Sequence, residues 1–467
     1  MPAHPAGPRH ADGAPRPALL PVSPAEMHAL PGHVWPTTAE RGTDGQLVIG
    51  GVDVRDAVAT YGSPLFVLDA EHFEDLAGLY RSSYGDADVY YAGKAFLSGA
   101  VARWVRDAGL SLDVASGGEL QVALRAGFPP HRILFHGNNK SGVEIAEALD
   151  AGVGRIVLDS FLEVARVAAA AEERGVVADV LVRVTVGVEA HTHEFIATAH
   201  EDQKFGLSVA SGDALEAARR VVGLPSLRLL GLHSHIGSQI FDAGGFEVAA
   251  HRLVRCAAEI RAELDVEVAE LNLGGGMGIA YTPADDPLRV AQMAQQLRSV
   301  VATACDEAGL PMPQLAFEPG RALIGPVGIT LYEVGTVKQV LLDNGQRRTY
   351  VSVDGGMSDN IRTALYDADY TVTLASRVST ADAVQCRVVG KHCESGDIVI
   401  RDAWLPADIA PGDLLAVAAT GAYCRAMASN YNYLPRPGVV SVRGGSSDVV
   451  LQRETVDDMT RLDPHLQ

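Results

Sequence analysis

The stretch Val89-Tyr90-Tyr91-Ala92-Gly93-Lys94-Ala95-Phe96 reads as a short buried strand that ends at a single lysine. The chain has 38 basic residues and only five of them are lysines, so a lysine in this position calls for an explanation. Arginine forms most salt bridges, but its guanidinium stays protonated and cannot form an imine. A desolvated lysine can, because burial lowers the pKa of its amine. Lys94 is therefore a candidate for covalent chemistry, and a solvated surface lysine is the alternative.

Around this stretch, apolar runs rich in β-branched residues alternate with segments of helical periodicity. We predict strands at residues 89–94, 111–115, 133–136, 155–159, 180–186, 228–235, 269–274 and 315–318. Many of the intervening helical segments end at a glycine, which tolerates the left-handed conformation that closes a helix. Eight strand–helix units predict a (β/α)8 barrel of the TIM type. An open, doubly wound sheet is the competing fold, and the count of eight favours the barrel.

A barrel of this kind carries its functional groups at the carboxyl ends of its strands. Nearly every predicted strand here ends at polar or glycine residues: Lys94, Asp113 and Ser116, His136 with Asn138 and Asn139, Asp159, Arg183, His235, Gly274 to Gly276, and Glu318 with Arg321. Any one of them has an ordinary explanation as a capping or loop residue. The repetition of the pattern predicts one shared active site at this end of the barrel.

The pattern changes after residue 326, where helical periodicity largely disappears. Strand-like runs follow at residues 329–334, 349–353, 370–374, 384–389, 414–418 and 439–442. The segment 46–68 is also strand-like, so we predict that it completes the same β-sandwich or β-barrel domain, with the (β/α)8 barrel inserted between the two pieces. The fold class is then α/β plus all-β. The predicted organisation is a disordered leader (1–43), N-terminal strands of the β domain (44–67), the barrel (68–326) and the C-terminal β domain (327–460).

The composition argues against several classes of protein. A formal net charge of −20 and an isoelectric point near 5.1 disfavour nucleic acid and anionic membranes as partners. No apolar run approaches the ~18 residues that span a bilayer. The first 40 residues, rich in Pro and Gly, lack the order of a secretory signal. The five cysteines are scattered with no CxxC pair, which predicts reduced thiols in a cytoplasmic protein.

A glycine run, Leu271-Asn272-Leu273-Gly274-Gly275-Gly276-Met277-Gly278, follows the seventh predicted strand. Successive glycines let backbone N–H groups close on a phosphate, and barrels often bind phosphate at this place. A flexible turn is the alternative. A phosphate site and an imine-forming lysine at the same end of one barrel together predict pyridoxal 5'-phosphate as the cofactor.

Two further strand-end residues suit this cofactor. Glu318 can sit against the pyridine nitrogen and keep it protonated, which favours decarboxylation over racemisation; a turn residue before Pro-Gly is the alternative. His235 can stack on the cofactor ring, although a hydrogen-bonded core histidine is more usual. His233 and His235 point to the same face of a strand, so zinc is also considered. No third ligand of matching spacing is evident, and we predict no metal.

Two segments of the predicted β domain carry reactive groups. Cys393 is suited to donating a proton to a carbanion, since a thiol has a pKa near ~8.5 in model peptides. An inert small residue is the alternative. Arg362 and Tyr366 lie about one helical turn apart and would make a carboxylate clamp, or simply an ordinary surface helix.

Together these motifs resemble those of the diaminopimelate decarboxylases, pyridoxal-phosphate enzymes of fold type III with an alanine racemase-like barrel. The resemblance runs from about residue 45 to 457 and rests on YYAGKAF (90–96), LDVASGGEL (112–120), HGNNKS (136–141), HSHIGSQ (233–239), LGGGMG (273–278), FEPGR (317–321), DGGMSDNIRTALY (354–366), CESGD (393–397) and GAYCRAMASNYN (421–432). It implies that Lys94 binds the cofactor covalently and that His235 stacks on its ring. The other implied cofactor contacts are Asp113, Ser238, Gly275, Gly276, Glu318, Pro319, Gly320, Arg321 and Tyr423. Gly93 departs from the family pattern, and we expect it to add local flexibility.

The resemblance also implies the reaction, which is decarboxylation of meso-2,6-diaminopimelate to L-lysine and CO2 in bacterial lysine synthesis. The implied substrate contacts are Arg321, Arg362, Tyr366, Glu394 and Tyr423. Cys393 would donate the proton, reaching the site from the partner subunit of a homodimer with shared active sites. The alternatives are a decarboxylase for arginine, ornithine or carboxynorspermidine, a catalytically silent regulatory homologue, and a non-enzymatic carrier of the cofactor. Two arginines favour diaminopimelate, because ornithine has no distal carboxylate.

Overall fold

The computed structural model describes residues 22–187, 204–341, 345 and 347–466. They form two compact units. One, called here the β unit, comprises the described residues up to Phe73, the short segment Ala280–Asp285, and the described residues from Ile324 onwards. The other, called the barrel unit, comprises the described residues of Glu74–Ile279 and Asp286–Leu323. None of the described helices is long and apolar enough to cross a membrane.

The β unit begins with short elements. They are α1 (Pro24–Met27), β1 (Glu40–Arg41), β2 (Leu47–Ile49), β3 (Val52–Asp53), α2 (Val54–Tyr61) and β4 (Leu65–Asp69). Strands β1, β2 and β3 form a small antiparallel sheet. Helix α2 begins at Asp53, whose Oδ1 accepts a hydrogen bond from the backbone N–H of Arg55 at 2.8 Å. The prediction of strand for 46–68 is therefore wrong at α2, because a capping aspartate starts a helix there.

Residues 22–43 are part of the β unit. Val34 and Trp35 are 0% and 1% exposed and lie in the same core as Leu47 on β2. The prediction of a disordered leader is therefore wrong for residues 22–43, because two large apolar side chains anchor a segment whose composition is otherwise that of a linker. Residues 1–21 lie outside the described part of the chain.

The barrel unit alternates strands and helices. The strands are β5 (Asp88–Ala92), β6 (Ser111–Val114), β7 (Ile133–Phe135), β8 (Arg155–Leu158), β9 (Ala178–Thr185), β10 (Leu207–Ser208), β11 (Leu227–His233), β12 (Glu270–Asn272) and β13 (Gln314–Phe317). The helices are α3 (Ala70–Tyr84), whose first four residues belong to the β unit, α4 (Gly99–Asp107), α5 (Gly117–Arg125), α6 (Gly142–Ala151), α7 (Phe161–Glu173), α8 (Asp213–Val222), α9 (Gly244–Leu264), α10 (Val290–Ala308) and α11 (Arg321–Ile324), whose last residue belongs to the β unit.

These strands close into a ring. Strands β5 to β9 and β11 to β13 pair in sequence order, all parallel, and β13 pairs back onto β5, while β10 adds to the side of β9. The ring has eight strands, which confirms the predicted barrel and excludes the open sheet. Its interior holds a buried apolar cluster of Tyr90, Leu134, Val157, Leu181 and Ala316.

Serine side chains begin four consecutive helices of the barrel. The serine hydroxyl accepts a hydrogen bond from the backbone N–H three residues further on. The four capping serines, of α4 to α7 in order, are Ser98, Ser116, Ser141 and Ser160. Such a cap satisfies an otherwise unpaired helix N–H and contributes about 1 kcal/mol. The caps turn the chain away from each strand end, so the residues between strand and helix are left at the carboxyl edge of the barrel.

The β unit is completed after the barrel. Its further elements are β14 (Gly328–Leu341), β15 (Arg347–Val353), α12 (Arg362–Tyr366), β16 (Val372–Leu374), β17 (Ala383–Val389), β18 (Ile398–Pro406), β19 (Leu414–Val417), β20 (Gly438–Arg443), β21 (Ser446–Leu451) and α13 (Val456–Thr460). The sheet order is β18-β17-β15-β14-β4-β20-β21, with β19 joining β14 to β16. Strand β4 thus lies between two C-terminal strands, β14 and β20. Strands β18 and β21 were not anticipated from the sequence.

Candidate active site

Lys94 lies where the sequence predicted, just after β5. A single 3-10 turn, Gly93–Ala95, follows that strand, and Lys94 is exposed while the residues on either side of it are buried. A Cβ on Gly93 would come within 2.9 Å of the carbonyl oxygen of Asp113 on β6. Glycine at position 93 is therefore explained by the close approach of the neighbouring strand, and local flexibility need not be invoked.

Lys140 shows the contrasting environment of a structural lysine. Its ammonium, 1% exposed, donates to the carbonyl oxygens of Gly137 and Val157 at 2.7 and 2.6 Å and pairs with Glu163 at 2.9 Å. All three protons of this ammonium have acceptors, so Lys140 fixes the HGNNKS loop to the barrel. Lys94, by contrast, is exposed.

Glu318 is the centre of a buried hydrogen-bond network after β13. Its Oε1 lies 2.8 Å from Nε2 of His136 and accepts from the side-chain amide of Asn272 at 2.9 Å, and its Oε2 lies 3.3 Å from Nε2 of His233. Burial alone would raise the pKa of Glu318, but His136 and the hydrogen bonds from both histidines outweigh it and hold the pKa well below its ordinary value. Glu318 is therefore an oriented carboxylate.

Of the two histidines in this network, His233 is the more deeply buried, at 1% exposed against 7% for His136. Burial lowers the pKa of His233 to about 4, so at neutral pH its ring is neutral and donates to Glu318 through Nε2–H. Ligand atoms of His136, His233 and Glu318 lie within 4.8 Å of one another, which is also close enough for a divalent cation. The hydrogen bonds to Glu318 account for the same grouping.

Asp113, at the end of β6, is the second carboxylate of the site. It is 2% exposed, and its Oδ1 lies 4.0 Å from Nε2 of His136. Burial raises the pKa of Asp113 to about 6. Its Oδ2 is buried and has no hydrogen-bond partner among the described residues. A buried acceptor in that state costs stability unless a ligand or water donates to it.

His235, after β11, is held against the glycine run. Its Nδ1 accepts a hydrogen bond from the backbone N–H of Gly275 at 3.1 Å, so the proton of the neutral ring is on Nε2. Burial, and then the charges of Lys94 and Arg183, lower the pKa of His235 well below its ordinary value. The ring is therefore a neutral, fixed plane.

The glycine run is closely packed, and it is not a loose turn. A Cβ on Gly275 would lie 2.2 Å from the carbonyl oxygen of Glu318, and one on Gly276, whose φ is +114°, would lie 2.5 Å from that of Gly237. Ile240 pairs with this run through hydrogen bonds to Gly276 and Gly278, both of 2.9 Å. Only glycine fits these positions, and residues 274–278, called here the glycine cradle, therefore pack backbone against backbone.

The FEPGR segment is fixed on the end of β5. The carbonyl of Pro319 accepts from Ala92 N–H at 3.4 Å, and a Cβ on Gly320 would come within 2.8 Å of the Ala92 side chain. Arg321 donates through Nη2 to the hydroxyl of Ser238 at 3.0 Å. The structure thus brings Ser238 and Arg321 together, as a shared site requires.

Asp159 and Arg183, which sequence reasoning left without a role, form a buried ion pair. Nη1 of Arg183 lies 3.6 Å from Oδ2 of Asp159, and Oδ1 of Asp159 accepts from the N–H of Gly206 at 2.6 Å. The guanidinium also faces the ring of Phe205, 4.3 Å from its centroid. Lys204 lies on the same ring at 4.9 Å.

In the β unit, Arg362 begins α12 and is 5% exposed. Its guanidinium donates through Nη1 to the hydroxyl of Tyr370 and faces the rings of Tyr281 and Tyr370, at 4.7 and 5.5 Å from their centroids. Tyr366, four residues on, is partly buried. Sequence reasoning found Arg362 but missed the two tyrosines, which no local spacing connects to it.

Cys393 and Glu394 are exposed on a loop of the β unit that is fixed at its base. Cys393 N–H donates to Oδ1 of Asn432 at 3.3 Å, and the same oxygen lies 3.1 Å from Nδ1 of His392. Asp397 accepts from the N–H of His392 at 2.8 Å. Tyr423, the remaining predicted site residue of this unit, has a left-handed backbone with φ +59°.

Comparisons with known proteins agree with this geometry. Residues 71–325 match the family model described as the pyridoxal binding domain of pyridoxal-dependent decarboxylases. The chain is 55% identical to the diaminopimelate decarboxylase of Mycobacterium leprae, over 99% of this chain and 100% of that protein. It is 45% identical to that of Bacillus subtilis, over 91% and 97%.

The chain belongs to the diaminopimelate decarboxylase family. A solved member of that family, the enzyme of M. jannaschii in complex with L-lysine, superposes with a TM-score of 0.86 at 31% identity, covering 92% of this chain and 99% of that one. Membership in the family confirms the resemblance inferred from the motifs, and the chain is an enzyme of the pyridoxal-dependent decarboxylase class.

Proposed function

We propose that this enzyme decarboxylates meso-2,6-diaminopimelate to L-lysine and CO2 with pyridoxal 5'-phosphate as its cofactor. The observation that carries the proposal is an exposed lysine beside an anchored carboxylate: Lys94 and Glu318 follow β5 and β13, which are neighbours in the barrel. Near-full-length identity of 45% and 55% to two diaminopimelate decarboxylases supports the substrate. The five cysteines are free thiols, which supports a cytoplasmic location.

The residues of the barrel unit fit the cofactor in charge and shape. The glycine cradle with Ser238 would hold the phosphate, and the neutral ring of His235 would stack on the cofactor. Ionised Glu318 would keep a proton on the pyridine nitrogen, because its own low pKa prevents it from taking that proton. The unpartnered Oδ2 of Asp113 marks a second place where a donor is expected. The proposed contacts also include Pro319, Gly320, Arg321 and Tyr423.

When bound, pyridoxal phosphate supplies an electron sink for the pair released as the carboxylate leaves. The residues of this chain would bind the substrate and orient it for the loss of its carboxylate. Lys94 would provide the amine that holds the cofactor. Cys393, supplied by the partner subunit of a homodimer in this proposal, would return a proton to the substrate carbon.

Recognition of diaminopimelate rests on its second amino-acid head. Arg362 is a buried cation that no carboxylate pairs among the described residues, and its Nε is buried without a hydrogen-bond partner there. A substrate carboxylate would satisfy it. In this proposal Arg321, Tyr366, Glu394 and Tyr423 complete the contacts.

A substrate panel tests the function. The purified protein with pyridoxal phosphate is offered meso-diaminopimelate beside ornithine, arginine and carboxynorspermidine, and lysine formed from diaminopimelate alone is the expected result. Lys94→Ala should abolish both turnover and the visible absorbance of the protein-bound cofactor. Lys338→Ala, at an exposed lysine of β14, is the matched control and should leave both unchanged. Turnover of another substrate only would contradict the proposal.

A further inference from the structure

The surroundings of Arg362 in the β unit are unusual for a buried cation. A buried charge is normally paired with an opposite charge, because its removal from water costs several kcal/mol. Arg362 is 5% exposed, and among the described residues no carboxylate lies within ion-pair distance. Two tyrosine rings face its guanidinium in place of a carboxylate.

The two tyrosines fix different features of the guanidinium. The rings of Tyr281 and Tyr370 both lie against it and favour the cation through their π-systems. The hydroxyl of Tyr370 accepts a hydrogen bond from Nη1 of Arg362. The Nε–H edge is left buried without a partner among the described residues. An arginine that is held against two rings and bonded at one end presents its other edge to a planar acceptor such as a carboxylate.

Contacts within the same unit hold the tyrosines themselves. Their rings meet edge to face, with centroids 5.1 Å apart and an interplanar angle of 81°. The carbonyl of Tyr281 accepts from the N–H and the hydroxyl of Thr371 at 3.0 and 2.8 Å. The hydroxyl of Tyr370 also lies 3.6 Å from the thiol sulfur of Cys424. Contacts of the β unit itself therefore hold the pair.

We propose that Tyr281 and Tyr370 are positioning residues that determine specificity: they hold Arg362 for a ligand carboxylate and so select substrates that carry one at the far end. This inference rests on the proposed function, since it identifies the ligand carboxylate as that of a diamino acid. Without the tyrosines Arg362 keeps its charge but loses its orientation. The selectivity for the carboxylate then falls while the reacting end of the site is unaffected.

The test compares L-lysine with cadaverine, which differs from it only in lacking the carboxylate. Binding of each to the holoenzyme is measured by calorimetry for the natural protein, Tyr370→Phe and Tyr281→Leu. We expect affinity for L-lysine to fall about 10-fold in Tyr370→Phe, the cost of one hydrogen bond to a charged group, and affinity for cadaverine to stay the same. With meso-diaminopimelate, KM should rise by a similar factor and kcat should change less than KM.

Tyr350→Phe is the matched control, because its ring also faces an arginine, Arg387, at 6.0 Å in the same unit. An unchanged preference for L-lysine over cadaverine in Tyr370→Phe would overturn the inference, and so would an equal loss of both ligands. Failure of the natural protein to turn over diaminopimelate would count against the proposed function instead. Thermal unfolding of each variant checks that the fold is intact.

Discussion

Replacing Asp113 by asparagine is expected to stabilise the cofactor-free chain, and to stabilise it more as the pH rises. The side chain of Asp113 is 2% exposed and burial raises its pKa from 3.8 to about 6. The charges around it are mixed: His136 and Lys94 favour its ionised form, whereas Glu318 and Glu119 disfavour it. Burial is the largest of these influences, so ionised Asp113 destabilises the folded chain.

The magnitude follows from the two pKa values. Between pH 3.8 and about 6 the folded chain holds the proton of Asp113 more tightly than the unfolded chain does. Stability is therefore lost as the pH rises through this window, and the full penalty applies above it. At ~1.4 kcal/mol per pKa unit the penalty is about 3 kcal/mol at pH ~8 and about half of that at pH ~5. An asparagine cannot ionise and escapes it.

Urea unfolding of the cofactor-free protein at these two pH values measures the effect. Asp113→Asn should raise the free energy of unfolding by about 3 kcal/mol at pH ~8 and by about half as much at pH ~5. Asp150→Asn, at an exposed carboxylate of α6, should stay within ~0.5 kcal/mol at both. A gain that is absent, or equal at the two pH values, would refute the reasoning, because only titration in a buried site makes the gain depend on pH.

Three further outcomes are expected. Glu163→Ala leaves the ammonium of Lys140 buried and unpaired and should lower the free energy of unfolding by about 3–5 kcal/mol in urea; adding Lys140→Met should recover most of it. Trp35→Ala should cost about 3–5 kcal/mol by the same measurement, whereas a disordered leader would give no change. Gly275→Ala forces a Cβ against the carbonyl of Glu318 and should weaken retention of pyridoxal phosphate at least ~10-fold in a dialysis assay, while unchanged retention would argue against the cradle.

The barrel was predictable because its strands are buried on both faces and read as continuous apolar runs. Strand β18 escaped prediction because Arg401 interrupts its apolar pattern. The structure pairs that arginine with Asp367 at 2.6 Å, a partner 34 positions earlier in the chain that no local pattern reveals. Strand β21 escaped for another reason: most of its residues are exposed or only partly buried, so it has no apolar signature.

In the candidate site, too, some features could be predicted from the sequence and others could not. Lys94 and the glycine run could be found from sequence, since each is a local pattern with a chemical meaning. The anchoring of Glu318 could not, because His136, His233 and Asn272 come from three other strands and meet only when the ring closes. The sequence identified Glu318 as a candidate by its residue type. The partners that keep it ionised are brought to it by the closure of the barrel.

Among the described residues, each unit contains a buried charged group at the candidate site that the other described residues leave partly unsatisfied. In the barrel unit it is Asp113, whose Oδ2 has no hydrogen-bond partner among the described residues, and in the β unit it is Arg362, which no described carboxylate pairs. Either group costs stability as it stands, and an uncharged residue of similar size would remove that cost. Packing therefore gives no reason for a charge at either position. A ligand that donates a hydrogen bond to Asp113 would explain the first charge, and a ligand carboxylate that pairs with Arg362 would explain the second. The stability of the ligand-free chain is therefore informative about its function.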